Sequence, residues 1–110
     1  MAEEKNFENK VKRFLESRDC WYVKFFANRM TKAGVPDLLC CVNGYFVGVE
    51  IKASKGKPSP LQLWNRDLIR ESGGVAIVLY PDRFEDFQVL VDDLIQRPEA
   101  VTVEYQRGFD

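Results

Sequence analysis

The sequence predicts one α/β domain in which helices flank a mixed β-sheet, with core order α-β-β-β-α-β. Apolar and amphipathic segments follow one another in that order along the chain. Asn43-Gly44 joins two of the strands in a tight hairpin, so those two are antiparallel. A helix separates the third strand from the fourth, and such a crossover makes that pair parallel. With 110 residues, no repeat and no linker, residues 1–110 are expected to form a single domain.

The first helix is predicted over residues 4–18, because apolar residues recur there at helical spacing. Its stripe consists of Phe7, Val11, Phe14 and Leu15. Residues 20–27 are aromatic and β-branched and indicate a strand, and the polar residues 28–35 indicate a loop. Residues 36–42 and 45–52 form the hairpin strands.

The second helix is predicted over residues 60–72, with Ser59 as N-cap, Pro60 in the first position and glycines after its end. Its residues Leu61, Trp64 and Leu68 are predicted to face the core. The continuous apolar run 75–80 indicates a strand covered on both faces. Capping-box spacing of Asp82 and Glu85 predicts a further helix to residue 96, and the alternating segment 101–105 predicts an edge strand.

The composition restricts the chemistry and the compartment. There is no histidine, which excludes histidine-based nucleophile activation and histidine-ligated zinc, so catalysis would rest on carboxylates, lysines or a metal-bound water. The three cysteines lack metal-binding pair spacing and are interpreted as small buried hydrophobes. No run of about 20 apolar residues and no signal-peptide core are present. A cytoplasmic protein without a membrane segment is expected.

Charge is distributed unevenly. Residues 5–57 hold eleven basic and five acidic side chains, whereas residues 82–110 hold three basic and eight acidic ones. The basic half suits contact with phosphates, although a random surface patchwork would give the same counts.

The hairpin register is the most specific signal. A two-residue turn at Asn43-Gly44 places Asp37 directly opposite Glu50, on one face, with Cβ atoms about 5 Å apart. Two such carboxylates repel each other, and a divalent cation such as Mg²⁺ removes the repulsion. Lys52 projects from the same face, where Gly48 is expected to leave space. A plain ion pair at a strand end is the alternative for Glu50 and Lys52.

Other candidates have two interpretations each. Glu8 lies at the margin of the apolar stripe, either looking into the domain or solvated. Gln62 fits a capping box with Ser59, or orients water or phosphate at a helix N-terminus. Loop cations suit phosphate contacts or simple solvation, namely Arg29, Lys32, Lys55 and Lys57.

At these residues the chain resembles the PD-(D/E)XK nuclease superfamily and, more narrowly, the VRR-NUC (virus-type replication-repair nuclease) family. "GVPDLL" matches the Pro-Asp motif, "VEIK" the Glu-x-Lys motif and "GKPSPLQ" the Ser-x-x-Gln element. "NFENKVKRFLESRDCWYVKF" is similar to the opening helix and strand, with Glu8 at the helix acid. The likeness spans roughly residues 6 to 95.

The resemblance implies a restriction-endonuclease-like core and Mg²⁺- or Mn²⁺-dependent hydrolysis of DNA phosphodiesters. It assigns metal binding to Glu8, Asp37, Glu50 and the Ile51 carbonyl, and catalysis to Lys52 and Gln62 beside Asp37 and Glu50. Ser59 is a candidate DNA contact together with the loop cations. It also implies a homodimer acting on branched DNA such as four-way (Holliday) junctions. The short chain resembles stand-alone phage or bacterial members, which act in the bacterial cytoplasm.

The motifs are therefore compatible with three functions. The first is a junction-resolving endonuclease. The second is a less selective flap, nicking or restriction-like nuclease. The third is a DNA-binding module that keeps the fold without cutting, and the intact Asp37, Glu50 and Lys52 argue against it.

Overall fold

A computed structural model describes residues 2–110 and confirms the mixed α/β architecture. Four strands form one sheet in the order β1-β2-β3-β4. Their bounds are β1 Trp21–Lys24, β2 Leu38–Val42, β3 Tyr45–Ile51 and β4 Val75–Leu79. The first three strands are antiparallel, and β3 pairs with β4 in parallel, as the crossover helix requires.

Helices cover both faces of the sheet. Their bounds are α1 Ala2–Ser17, α2 Pro60–Glu71, α3 Phe84–Gln96 and α4 Val103–Arg107. The main core joins α1 and α3 to one sheet face, and the predicted stripe of α1 is fully part of it. On β3 this face consists of Val47, Val49 and Ile51, all buried. All five residues of β4 are buried, which fits a strand covered on both sides.

The other sheet face carries α2 and α4, and here the predicted packing is partly wrong. Leu61 and Trp64 are half exposed, because the inward positions of α2 belong to the polar residues Asn65 and Arg70. Asn65 Nδ2 donates to the Ala33 carbonyl at 3.1 Å and so fastens the loop after β1. The room expected beside Gly48 is also filled, since a Cβ there would lie 2.9 Å from Pro36 Cγ.

The C-terminal segment corrects two further predictions. Residues 101–105 are not an edge strand, because the Thr102 hydroxyl accepts from the Tyr105 N–H at 3.1 Å and starts the short helix α4. The capping box at Asp82 is absent too, since Pro81 begins a 3₁₀ turn and α3 starts only at residue 84. The Gln106 side chain instead accepts from the Ala76 N–H at 2.9 Å and occupies part of the outer edge of β4.

The three cysteines differ in environment: Cys40 is buried, Cys20 is partly buried and Cys41 is exposed, so the interpretation as buried hydrophobes holds for Cys40 and is wrong for Cys41. Cys40 and Cys41 point to opposite faces because they are neighbours in β2. None of the helices within residues 2–110 has the length and apolarity needed to cross a bilayer.

Candidate active site

The opposed acid pair forms where the hairpin opens. The observed register pairs Leu38 with Val49, as the turn at Asn43-Gly44 predicts, and Asp37 and Glu50 are the next residues outward along the two strands. Glu50 is 5% exposed, while the Asp37 side chain is 25% exposed. The site is therefore a buried acid beside a partly open one.

Asp37 is fixed from two sides. Its Oδ2 accepts a hydrogen bond from the backbone N–H of Ile51 at 2.8 Å. Its Oδ1 lies 3.5 Å from the ammonium of Lys24. The strand end thus orients one oxygen while a cation neutralises the other.

Glu50 has an uneven set of partners. Its Oε2 accepts from Gln62 Nε2 at 2.8 Å and lies 3.5 Å from the Lys52 ammonium. Its Oε1 is buried and receives no hydrogen bond from any group within residues 2–110. A buried carboxylate oxygen without a donor is costly, and it marks a place where a cation or a proton is needed.

The electrostatics agree with this geometry. Burial, followed by the adjacent Asp37 carboxylate, raises the pKa of Glu50 to about 8, and Lys52 offsets only part of this effect. Glu50 therefore holds a proton near neutral pH when no cation is bound.

Gln62 forms the predicted capping box and also contacts the acid pair. Its Oε1 accepts from the Ser59 N–H at 2.8 Å, and the Ser59 hydroxyl accepts from the Gln62 N–H at 3.2 Å, which completes the capping box. The remaining group of the amide, Nε2, donates to Glu50. The cap of α2 therefore aims the amide into the site, and the Ser59 side chain itself is engaged in that cap.

Glu8 reaches inward from α1, as its position beside the apolar stripe allows, and it is 4% exposed. Its Oε1 accepts from Lys24 Nζ at 2.7 Å, and its Oε2 lies 3.0 Å from Lys12 Nζ. Burial works against ionisation, but the bonds from Lys24 and Lys12 outweigh it, so the pKa of Glu8 lies below its ordinary value. Glu8 is thus joined to Asp37 through a lysine.

Lys24 is the site residue that the sequence did not predict. It is the last residue of β1, and the long loop that follows gives no turn signal from which the pairing of β1 with β2 could be read. The only sign was a lysine within an otherwise apolar and aromatic strand, "WYVK".

The residues present fit a single hard cation between Asp37 and Glu50. The donor-free Glu50 oxygen and the mutual repulsion of the pair favour a positive charge at that point. Within residues 2–110, no three acidic, cysteine or histidine side chains are close enough together to ligate one ion. The assignments of Glu8 and of the Ile51 carbonyl as direct ligands stay predictions.

Two exposed loops border the site. Arg29 and Lys32 lie in the loop between β1 and β2, and Lys55 and Lys57 in the loop between β3 and α2. All four side chains are exposed, and the Lys32 ammonium lies 5.8 Å from the centre of the Trp64 ring. The first loop joins Lys24 to Asp37, and the second begins at Lys52, so both loops continue from residues of the site.

Comparison with known proteins bears on the fold. Neither a family model nor a curated protein sequence matches the chain. Among solved structures, the chain is similar to a VRR_NUC domain, with 25% sequence identity and a TM-score of 0.63. The match covers 86% of this chain and 96% of the other. The motifs of the sequence and this structural match support membership of the VRR-NUC family, and the structural neighbour suggests a nuclease domain.

Proposed function

We propose that the chain is a metal-dependent endonuclease that hydrolyses phosphodiester bonds in branched DNA. The observation that carries this proposal is the pairing of Asp37 with Glu50, whose buried Oε1 lacks a donor, beside Lys52 and Gln62. A site built only for stability would not oppose two carboxylates and leave one oxygen unsatisfied.

Each side chain has a distinct task. Asp37 and Glu50 hold the cation, Mg²⁺ or Mn²⁺, which when bound supplies positive charge to the scissile phosphate and lowers the pKa of a coordinated water. The backbone N–H of Ile51 keeps Asp37 oriented, and Gln62 keeps Glu50 oriented. Lys52 is 15% exposed, and its ammonium can turn from Glu50 toward a phosphate oxygen or a water.

DNA binding follows from the charges around the site. In this proposal phosphates are contacted by the exposed cations of the two loops that continue from site residues, namely Arg29, Lys32, Lys55 and Lys57. The acidic segment 82–110, with eight acidic and three basic side chains, disfavours phosphate contact. Ser59 contributes by holding the N-terminus of α2 in shape next to Gln62.

A four-way junction is the proposed substrate and a homodimer the proposed form, because two symmetric cuts require two related sites. An uncovered apolar row on the face of α2 gives the second copy a place to bind. The row crosses three strands at Trp21, Cys41 and Phe46, which lie directly opposite one another. Trp21 is 63% exposed and Phe46 43% exposed. β1 is also an edge strand.

Cleavage of a labelled four-way junction tests the proposed chemistry. We expect nicks in Mg²⁺ and none in EDTA, and a loss of at least 100-fold in rate for Lys52→Ala with junction binding retained. Arg107→Ala is the matched control, since it removes an exposed cation from α4, outside the site. Cleavage by Lys52→Ala at the wild-type rate would reject the assignment.

A substrate panel tests selectivity. Linear duplex, flap, nicked and four-way DNA are compared at equal concentration and ionic strength, since phosphate contacts weaken with salt. Preference for the junction, with symmetric nicks on opposed arms, supports the resolving function. Equal cleavage of linear DNA favours the less selective nuclease, and binding without cleavage in either metal favours a non-catalytic module.

The oligomeric state is tested separately. Light scattering is expected to give a dimer for the wild type and a monomer for Trp21→Glu, because a charge in the apolar row disfavours its burial. Ile95→Glu is the matched control, since Ile95 is 41% exposed on α3, away from the row. A dimer that survives Trp21→Glu would exclude this surface.

A further inference from the structure

Asp37 lies between two other acids of the site, Glu8 and Glu50, and the spaces on its two sides differ in charge. Between Glu8 and Asp37 stands the Lys24 ammonium, 2.7 Å from Glu8 Oε1 and 3.5 Å from Asp37 Oδ1. Between Asp37 and Glu50 there is no such cation, and Glu50 Oε1 has no donor within residues 2–110. The space between Glu8 and Asp37 therefore already contains a positive charge, whereas the space between Asp37 and Glu50 needs one.

Glu8 is the more fully neutralised of the buried acids. Glu8 Oε2, like Glu50 Oε1, has no hydrogen bond of good geometry within residues 2–110, but the ammonium of Lys12 lies 3.0 Å from it and that of Lys5 lies 3.9 Å from it. Three lysine ammoniums thus surround one buried carboxylate. A divalent ion entering there would meet concentrated positive charge, which opposes its binding.

We propose that Lys24 is a built-in cation that takes the place between Glu8 and Asp37, so that the chain binds one divalent ion, at Asp37 and Glu50, and Glu8 pairs with lysines rather than with the metal. Lys24 is then a positioning residue. It joins Glu8 of α1 to Asp37 of the hairpin. Its positive charge next to Asp37 also lowers the affinity of the site for the ion. This inference rests on the proposed metal-dependent function and specifies its metal site.

Lys24 is well placed for a fixed role. It pairs with Leu38 across the β1–β2 ladder, and its side chain is only 23% exposed, so its stem is held by the sheet. Asp37 keeps its orientation without Lys24, because the Ile51 N–H binds the other oxygen. Removing the ammonium should therefore change the charge of the site more than its shape.

Titration of Mn²⁺ into metal-free protein without DNA tests the inference, with bound and free ion distinguished by electron paramagnetic resonance. The wild type is expected to bind one Mn²⁺ per chain. Glu8→Gln should change the affinity by less than threefold, whereas Lys24→Met should tighten it about tenfold, because a neighbouring positive charge is lost. Lys24→Arg retains the charge and should behave as wild type.

The matched control is Lys10→Met, which should leave Mn²⁺ affinity unchanged. Lys10 is an exposed lysine of α1 that lies over the Phe84 ring. Circular dichroism verifies that each variant is folded, and Lys24→Met carries the test if Glu8→Gln does not fold. Two ions bound to the wild type, a tenfold weakening by folded Glu8→Gln, or unchanged affinity of Lys24→Met would overturn the inference. A wild type that binds no Mn²⁺ would instead overturn the proposed function.

Discussion

The metal-free protein should become more stable when Glu50 is replaced by glutamine. Glu50 is buried, faces Asp37, and has its pKa raised from an ordinary 4.5 to about 8. Between these values the folded state holds more protons than the unfolded state, so the free energy of unfolding falls as pH rises through this window. Glutamine keeps an acceptor for Gln62 and removes the charge that repels Asp37.

The size of the effect follows from the shift. One pKa unit corresponds to about 1.4 kcal/mol, so ionising Glu50 at pH 8 costs at most about 4 to 5 kcal/mol, and relaxation around the partly open Asp37 reduces this to about 2 to 4 kcal/mol. At pH 5 the same cost is below about 1 kcal/mol. Glu50→Gln should therefore gain about 2 to 4 kcal/mol at pH 8, or on the order of 10 °C in Tm, and little at pH 5.

Urea unfolding in EDTA at several pH values between 5 and 8 measures this gain. Glu99→Gln is the control, because Glu99 is exposed and its substitution should leave the difference between the two pH values unchanged. A Glu50→Gln protein that is no more stable than wild type at pH 8, or that is equally stabilised at pH 5, would refute the electrostatic reasoning. Mg²⁺ at pH 8 should stabilise the wild type and not Glu50→Gln, since only the wild type keeps both carboxylates.

Three further predictions concern stability elsewhere, each measured by urea unfolding. Ser59→Ala removes the capping box and should cost about 1 kcal/mol. Arg70→Met should cost about 3 kcal/mol, because the buried guanidinium donates to the Ala76 carbonyl and to Asp110, and the Ala76 carbonyl would lose this donor while Asp110 kept only Arg66. A neutral substitution would show that other groups satisfy them. Burial, then the hydrogen bond to Asp93, raises the pKa of Tyr105 to about 12. The free energy of unfolding of the wild type should therefore fall between about pH 10 and 12, because this tyrosine ionises at lower pH in the unfolded chain. Tyr105→Phe should remove that part of the fall.

The hairpin was predictable because its signal is local. Asn43-Gly44 fixes a two-residue turn, Asn43 has a positive φ of 51° and Gly44 one of 83°, and the strand period of two then settles which residues face each other. The same turn and strand period predict that Asp37 lies opposite Glu50. No tertiary information was needed for either step.

Predictions failed where a side chain found a non-local partner. The inward face of α2 was predicted wrongly because Arg70 lies inward. Its guanidinium donates to the Ala76 and Gln106 carbonyls and to Asp110. The helical period of α2 does not encode these partners. Residues 101–105 alternate like a strand, yet the Thr102 cap and the bond from the Ala76 N–H to Gln106 favour a helix. In both cases polar side chains took positions that an apolar pattern had assigned elsewhere.

Lys24 shows why the site was only partly predictable. Motif residues such as Glu50 and Lys52 lie two apart on one strand, so their shared face follows from the sequence. The place of Lys24 depends on the register of β1 against β2, which a loop of thirteen residues separates and no turn type fixes. Yet Lys24 decides whether Glu8 meets a metal ion or an ammonium. The sequence thus identifies the acids of the site, whereas the charge that each acid meets depends on a strand pairing that only the folded chain reveals.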